Sequence, residues 1–236
     1  MSSSPALADL PQIARRTLAD TAYDALSDLL ASGRLAPGDR LSLRQTAAAL
    51  GVSVMPVREA VSRLTAEGAL DVAPNRALRV PVLTPEAFRA LAETRMAVEG
   101  LAAARAAERR SPGELAEIRR AEAAFRALAG SARPDGARAV VLNRDLHFAV
   151  YAACGLEPLR EIIARLWLKA GPVLNLDLRA HPGRLRQGSA MRRHAEAVAA
   201  IEARDGPAAA AAIAADIGDA AEFILSRGGL RQAQRP

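Results

Sequence analysis

The sequence predicts a mainly α-helical protein with a small N-terminal domain and a C-terminal bundle of six antiparallel helices. Half of the 236 residues are hydrophobic but only 3% are aromatic, and alanine, which favours helix over strand, supplies much of the apolar count. Apolar residues recur at helical spacing along most of the chain. Capping residues, prolines and glycines separate these segments at regular intervals, which sets the helix boundaries.

The N-terminal domain is predicted over residues 17–83, behind a flexible leader at 1–16. Apolar spacing, capping residues and glycine stops predict three helices, at about 17–32, 43–50 and 53–67. Ser53 is the predicted cap of the third helix, and Pro56 lies in its first turn, where a missing amide proton costs little. Residues 33–42, rich in proline and glycine, are predicted to form a tight connection between the first two helices. The stretch 69–83 has the pattern of strand, turn and strand, with the turn at 74–76 and with Val72, Val80 and Val82 in the strands. Three helices followed by a hairpin form a winged helix-turn-helix.

A winged helix-turn-helix predicts contact with duplex DNA, because its second helix braces the third and the third enters the major groove. Residues 17–83 contain seven arginines and seven acidic residues, yet residues 40–79 contain six of those arginines and only three acids. This uneven distribution favours a basic face, although an ordinary solvated surface gives the same count. The net charge of +6 does not by itself indicate DNA binding, since arginine-rich composition also follows from a GC-rich genome.

Two apolar residues, Val54 and Met55, open the third helix. Either they contact thymine methyl groups in the major groove, or they pack against the wing. Exposed apolar residues are common, so both interpretations stay open. The candidate DNA-contacting residues are Arg44, Ser53, Val54, Met55, Pro56, Arg58, Asn75 and Arg76.

The second domain is predicted over residues 84–228, with a flexible tail at 229–236. Helices are predicted at about 85–110, 112–129, 135–154, 157–180, 188–204 and 207–226, and six antiparallel helices of this length form a bundle. No apolar run approaches the roughly 20 residues of a membrane span, and the N-terminus is a poor secretory signal. One cysteine, Cys154, fits a reducing cytoplasm. A cytoplasmic protein without a membrane partner is therefore expected.

Polar residues in the predicted bundle form a candidate metal site. Asn143 and His147 are four residues apart and share one helix face, while His194 and Asp216 lie on two later helices that an antiparallel pair could bring together. Two imidazoles, a carboxylate and an amide oxygen suit zinc, nickel or manganese. The alternative is a polar pocket without metal. His181 is expected on a loop and not as a ligand.

Long stretches of the chain resemble a known family. "LAPGDRLSLRQTAAALGVSVMPVREAVSRLTAEGAL" (35–70) resembles the N-terminal domain of GntR-family bacterial transcription regulators, through its PG, LGVS, PVREA and RL-x-x-EG elements. "TRMAVEGLAAARAA", "LNRDLHFAVYAACGLEPL" and "MRRHAEAVAAIEARDGPAAAAAIAADI" resemble the all-helical FCD effector domain of the FadR-like branch, in its smaller VanR-type variant.

The resemblance implies roles for individual residues of the N-terminal domain. Arg44 and Arg58 fall where family members contact operator DNA, and Asn75 and Arg76 fall at the wing tip. Val54 departs from the pattern, because many members have arginine there. The operator sequence of better-known members therefore cannot be transferred.

In the helical domain the resemblance implies a divalent metal and a small organic acid. Many members bind metal through Asp-x-x-x-His and two later histidines; the matching positions here are Asn143, His147, His194 and Asp216, of which two differ. Arg95 lies where this branch usually has arginine and could pair with an effector carboxylate. Its alternative is a salt bridge to Glu99, four residues on. Trp167 is expected in the core or at a dimer contact.

The predicted function is DNA-binding transcription regulation, expected to be repression by a homodimer on an inverted-repeat operator, controlled by a small carboxylate metabolite. The alternatives are a metal-dependent enzyme built on the bundle and an interaction module without DNA binding. No glycine-rich phosphate loop, Cys-x-x-Cys or nucleophile elbow is present, so an enzyme is not expected. Val54 gives the interaction module slight support, while Arg44 and Arg58 argue against it.

Overall fold

The computed structural model describes residues 16–72, 77–180, 183, 185, 188–227 and 230, with backbone alone at 175–180. The described helices are α1 (Leu18–Ala31), α2 (Leu43–Leu50), α3 (Val54–Ala66), α4 (Pro85–Arg109), α5 (Pro112–Ala129), α6 (Gly136–Ala152), α7 (Glu157–Ala180), α8 (Ala190–Glu202) and α9 (Gly206–Ser226). Three short strands, β1 (Arg40–Leu41), β2 (Asp71–Val72) and β3 (Leu78–Arg79), complete the fold. The predicted mainly α fold class is confirmed.

Local capping explains where several helices begin. Thr17 and Asp20 form a capping box at the start of α1, and Ser111 and Glu114 form another at α5. Thr84 accepts a hydrogen bond from the Ala87 amide at the start of α4, directly before the proline at its first position. Each cap satisfies amide groups that the first helical turn leaves unpaired.

For the N-terminal domain, one expectation was confirmed in position only and another was wrong. Ser53 occupies the N-cap position of α3, but its side chain makes no capping hydrogen bond. Strand β1 lies in a stretch predicted as a turn-rich connection; it pairs antiparallel with β3, and β2 pairs with β3 on the other side. A two-residue strand has no readable alternation, because the period of a strand needs several residues to show.

The predicted wing is only partly described. Val72 lies in β2. Val80 follows β3, and its amide donates to the Asp39 carbonyl oxygen at 2.9 Å, whereas Val82 lies outside any strand, contrary to the expectation. The predicted turn at 74–76 lies outside the described residues, as do nearly all of the predicted leader and tail.

Helix α1 and helix α3 form the core of the N-terminal domain through Leu26, Leu30 and Leu64, which are almost fully buried. Polar contacts join the same two helices at the surface. Arg63 on α3 pairs with Asp20 on α1 at 2.8 Å, and its guanidinium stacks 4.0 Å above the Tyr23 ring. This arginine is therefore held by α1.

The helical domain is packed largely through alanine. Helix α4 lies against α9 and α8, and it buries four alanines completely: Ala102, Ala103, Ala106 and Ala107. Small side chains let helix backbones approach closely, so a well-packed interior needs few aromatic residues. None of the described helices combines the length and apolarity needed to cross a bilayer.

The two domains share one apolar core, which runs from α1 and α3 into α4 and α7. One close approach is at Gly171 on α7, where an added Cβ would lie only 2.3 Å from the Leu30 carbonyl oxygen. A second contact joins Arg144 on α6 to Asp28 on α1 at 3.3 Å. Helix α7 is therefore seated directly on the last turn of α1.

We expect Gly171→Ala to destabilise the protein by about 1–3 kcal/mol, because the new methyl group overlaps backbone atoms of Leu30 and Ala31 that cannot rotate away. Urea unfolding measures the change, and amide hydrogen exchange should rise in the last turn of α1.

Gly113→Ala is the matched control, since a Cβ there meets only the Ser111 hydroxyl oxygen at 4.0 Å. Equal stability of the two variants would show that the α1–α7 contact is looser than described.

Candidate DNA-binding face and buried polar site

Two of the predicted DNA-contacting arginines lie on one face. Arg44 near the start of α2 and Arg58 on α3 are both exposed, and both line a groove that is closed on its other side by Val72 and Leu78 of the small sheet. The groove thus has a guanidinium group from each of two helices, with the wing strands beside it. Such an arrangement suits phosphate contacts on either side of an inserted helix.

The apolar pair at the start of α3 has two different environments. Val54 is half-buried, packs against the core and lines the groove beside the sheet. Met55 is 68% exposed and lies with Pro56 in a second groove, between α3 and the beginning of α1. Val54 therefore packs partly against the core, while Met55 projects into solvent. Ser53 is exposed, and Asn75 and Arg76 lie outside the described residues.

Three buried residues from three helices converge inside the bundle. His147 on α6, His194 on α8 and Asp216 on α9 each offer a ligand atom, and these atoms lie within 4.8 Å of one another. His147 Nε2 is 3.2 Å from one carboxylate oxygen of Asp216, and His194 Nε2 is 3.5 Å from the other. Helices α8 and α9 are consecutive, so the break at 205–207 returns the chain to the same interior.

The polar atoms of this cluster are incompletely paired. Among the described residues, neither ring nitrogen of His194 has a well-formed hydrogen bond, although both are buried; Nε2 has only a long 3.5 Å approach to Asp216. Burial alone would raise the pKa of Asp216, but His194 and His147 outweigh it and hold that pKa well below its usual value. A buried carboxylate between two imidazoles favours positive charge at this point.

A cavity of about 50 Å³ opens beside the cluster. Its polar lining comes from Arg95, Asn143, His147, Ser189 and Asp216, and the remaining walls are largely apolar. Roughly 10–15 Å³ of such space holds one water molecule. The cavity therefore accommodates an ion with a few waters, or a small acid. Asn143 borders it one helical turn before His147.

A second set of contacts connects the cluster to Glu99, which is fully buried on α4. Arg95 donates to both carboxylate oxygens, from Nε at 2.6 Å and from Nη2 at 3.2 Å. Trp167 Nε1 on α7 donates at 3.2 Å, and the Tyr151 hydroxyl on α6 also donates. The salt-bridge alternative for Arg95 is therefore present, while the same residue also borders the cavity.

Sequence reasoning gave no site role to Glu99, Tyr151 or Trp167. The available signals were spacings of four residues, Arg95 to Glu99 and His147 to Tyr151, which place each pair on one helix face. Burial lowers the pKa of Arg95, but Glu99 reverses this and the pKa is raised overall. Burial and the neighbouring Glu99 raise the pKa of Tyr151 well above its usual value, so its hydroxyl keeps its proton at neutral pH.

The fold joins a winged helix-turn-helix, with Arg44 and Arg58 on one groove, to a helical bundle with a buried polar cavity. This combination defines a DNA-binding transcription regulator. Residues 18–80 match the family of bacterial regulatory proteins, gntR family, and residues 90–219 match the FCD domain. The chain therefore belongs to the GntR family of transcriptional regulators, in the group with an FCD effector domain.

Individual relatives agree with this assignment. The HTH-type transcriptional regulator McbR of Escherichia coli K12 is 34% identical over 163 residues, which cover 69% of this chain and 73% of that protein. The solved structure of E. coli McbR/YncC has a TM-score of 0.83 and 28% identity, covering 91% of this chain and 100% of that one. A protein described as a GntR regulator from Rhodococcus sp. RHA1 has a TM-score of 0.69 and 26% identity, covering 90% and 99%.

These comparisons confirm the family predicted from the sequence. The matching families and relatives are transcriptional regulators, in agreement with the expectation that the chain is not an enzyme.

We expect Arg58→Ala to weaken binding to an operator fragment by about 1–3 kcal/mol, because it removes a cationic donor from the exposed face of α3. Gel-shift titration at fixed salt concentration measures the loss. Arg120→Ala is the control: Arg120 is exposed on α5 and pairs with Glu117 at 2.6 Å, so the variant loses the same charge far from the groove. Equal affinities of the two variants would contradict the assignment of the DNA-binding face.

Proposed function

We propose that this regulator is a repressor that binds an inverted-repeat operator as a homodimer and responds to a small organic acid held in the FCD cavity through a divalent metal. The observation that carries the proposal is the buried cluster of His147, His194 and Asp216. Without a cation, the cluster leaves the ring nitrogens of His194 unpaired, and a buried polar group without a partner is costly.

The donor set suits the ion. Two imidazole nitrogens and one carboxylate oxygen form a three-ligand set of the kind that leaves positions open for water or a ligand. Asn143, on the wall of the same cavity, would supply an amide oxygen as a fourth, neutral ligand. Nitrogen and oxygen donors of this kind suit zinc, nickel or manganese.

The same cavity is the proposed effector site. A divalent ion binds carboxylate oxygens strongly, so an organic acid of a few heavy atoms would fit both the charge and the space. Arg95 lies at the edge of this space, with two of its nitrogens committed to Glu99. An effector carboxylate that reaches Arg95 would therefore compete with Glu99, which gives the ligand a way to alter the buried contacts.

Helix α7 provides a physical link from this site to DNA. It carries Trp167, which donates to Glu99, and Gly171, which is seated on the last turn of α1. A ligand that binds one position of α7 better than another shifts the population of the DNA-binding domain accordingly. In a dimer, two α3 helices about one duplex turn apart would read the two halves of an inverted repeat.

We expect Asp216→Asn to lower the affinity for Zn²⁺ about 100-fold or more, since even changes outside the ligand shell cost about 10–100-fold. Competition with a chromogenic chelator measures it. Asp219→Asn is the control on the same helix, because Asp219 pairs with Arg193 at 3.0 Å. Wild-type protein that binds none of Zn²⁺, Ni²⁺ and Mn²⁺ would remove the metal from the proposal.

The operator and effector are tested together. Genomic fragments retained by the purified protein should contain an inverted repeat, and retention should decrease as salt rises. We expect a small mono- or dicarboxylate to release the retained fragment from the metal-loaded protein, and to do so less well after metal removal. If no such acid changes the gel shift of the metal-loaded protein, the effector part of the proposal is wrong.

A further inference from the structure

Glu99 is a buried carboxylate that only accepts hydrogen bonds. It takes two from Arg95, one from Trp167 and one from the Tyr151 hydroxyl. A carboxylate paired with a guanidinium in this way has no proton to give. The direction of each bond around Glu99 is therefore fixed, and every partner must donate.

The donor direction at Glu99 also fixes which partner donates in the next hydrogen bond, between Tyr151 and His147. A tyrosine hydroxyl has a single proton, and Tyr151 uses it on Glu99. The same hydroxyl oxygen lies 2.7 Å from His147 Nδ1, and toward this nitrogen it can only accept. His147 Nδ1 must therefore carry the proton of this hydrogen bond.

A proton on Nδ1 determines whether the other nitrogen of His147, Nε2, is protonated. A neutral imidazole carries one proton, so a proton on Nδ1 leaves Nε2 with a free lone pair. Nε2 is the atom that lies 3.2 Å from an Asp216 oxygen, inside the cluster with His194. Two acceptors that face each other across this distance need a cation between them, or else a second proton on Nε2.

We propose that Glu99 and Tyr151 are positioning residues that hold the proton of His147 on Nδ1 and so direct its bare Nε2 toward the metal. This inference rests on the proposed metal site. Ligand histidines commonly donate their second N–H to an acceptor that orients the ring; here the acceptor is a tyrosine oxygen, oriented in turn by a carboxylate on another helix. Trp167 and Arg95 contribute by holding Glu99 in place.

The first test compares two tyrosine variants by Zn²⁺ competition with a chelator. Tyr151→Phe removes the oxygen that accepts from Nδ1 and leaves Glu99 paired with Arg95 and Trp167, so we expect zinc affinity to fall about 10–100-fold. Tyr23→Phe is the control, because it deletes a hydroxyl that donates to Glu67 in the other domain at 2.8 Å. Wild-type zinc affinity in Tyr151→Phe would overturn the positioning role.

The second test needs no metal, and its main result comes from the wild-type protein. Nitrogen-15 NMR of histidine-labelled, metal-free protein, at a pH where the imidazole is neutral, reports which nitrogen of His147 is protonated. We expect the proton on Nδ1, and a proton on Nε2 in Tyr151→Phe, where Asp216 becomes the better acceptor. A wild-type imidazole with its proton on Nε2 and none on Nδ1 would overturn the inference even if Tyr151→Phe does not fold.

The two tests also separate this inference from the proposed metal site. Wild-type protein without zinc affinity would remove the metal and with it the purpose of the positioning, whereas the NMR result would still decide the direction of the hydrogen bonds. Zinc binding by a protein whose metal-free His147 is protonated on Nε2 and not on Nδ1 would keep the metal site and reject the role of Glu99 and Tyr151.

Discussion

The need to neutralise one buried carboxylate organises the interior of the helical domain. Glu99 has no contact with solvent, and an unpaired charge in that position would cost several kcal/mol. Its donors come from its own helix, from α6 and from α7. Meeting this requirement fixes the rotation of three helices at once, and the same rotation brings His147 into reach of Asp216.

The resulting interior has two polar halves joined at His147. One half, around Glu99, is fully paired and has defined hydrogen-bond directions. The other half, around His194, has buried nitrogens without partners among the described residues. A satisfied network is rigid, while an unsatisfied one has affinity for something that completes it. The cavity borders both halves, through Arg95 on one side and through His147 and Asp216 on the other.

Local signals in the sequence were enough to place the helices. Thr84 before a proline marks one helix start, and the Ser111 capping box marks another. Both can be recognised in the sequence, because a cap involves only neighbouring residues. Strand β1 was missed because two residues carry no periodicity. It forms only when β3, almost forty residues later, offers its edge.

The candidate site was predictable from the sequence only in part. Three of its members, His147, His194 and Asp216, were found because histidines are rare in this chain and helix spacing limits where they point. Glu99 and Tyr151 were not assigned, because an acidic residue and a tyrosine on helices are common and their roles depend on how α4 and α6 are rotated against each other. That rotation is set by tertiary packing, which no single segment encodes.

Sharing one core has a consequence for the cooperativity of the whole molecule. Leu30 of α1 and Trp167 of α7 belong to the same buried cluster, and at Gly171 the two helices lie too close to admit an added Cβ. Opening either domain therefore exposes apolar surface of the other. Heating should melt the DNA-reading part and the helical part in a single step, so that the two halves behave as one thermodynamic unit.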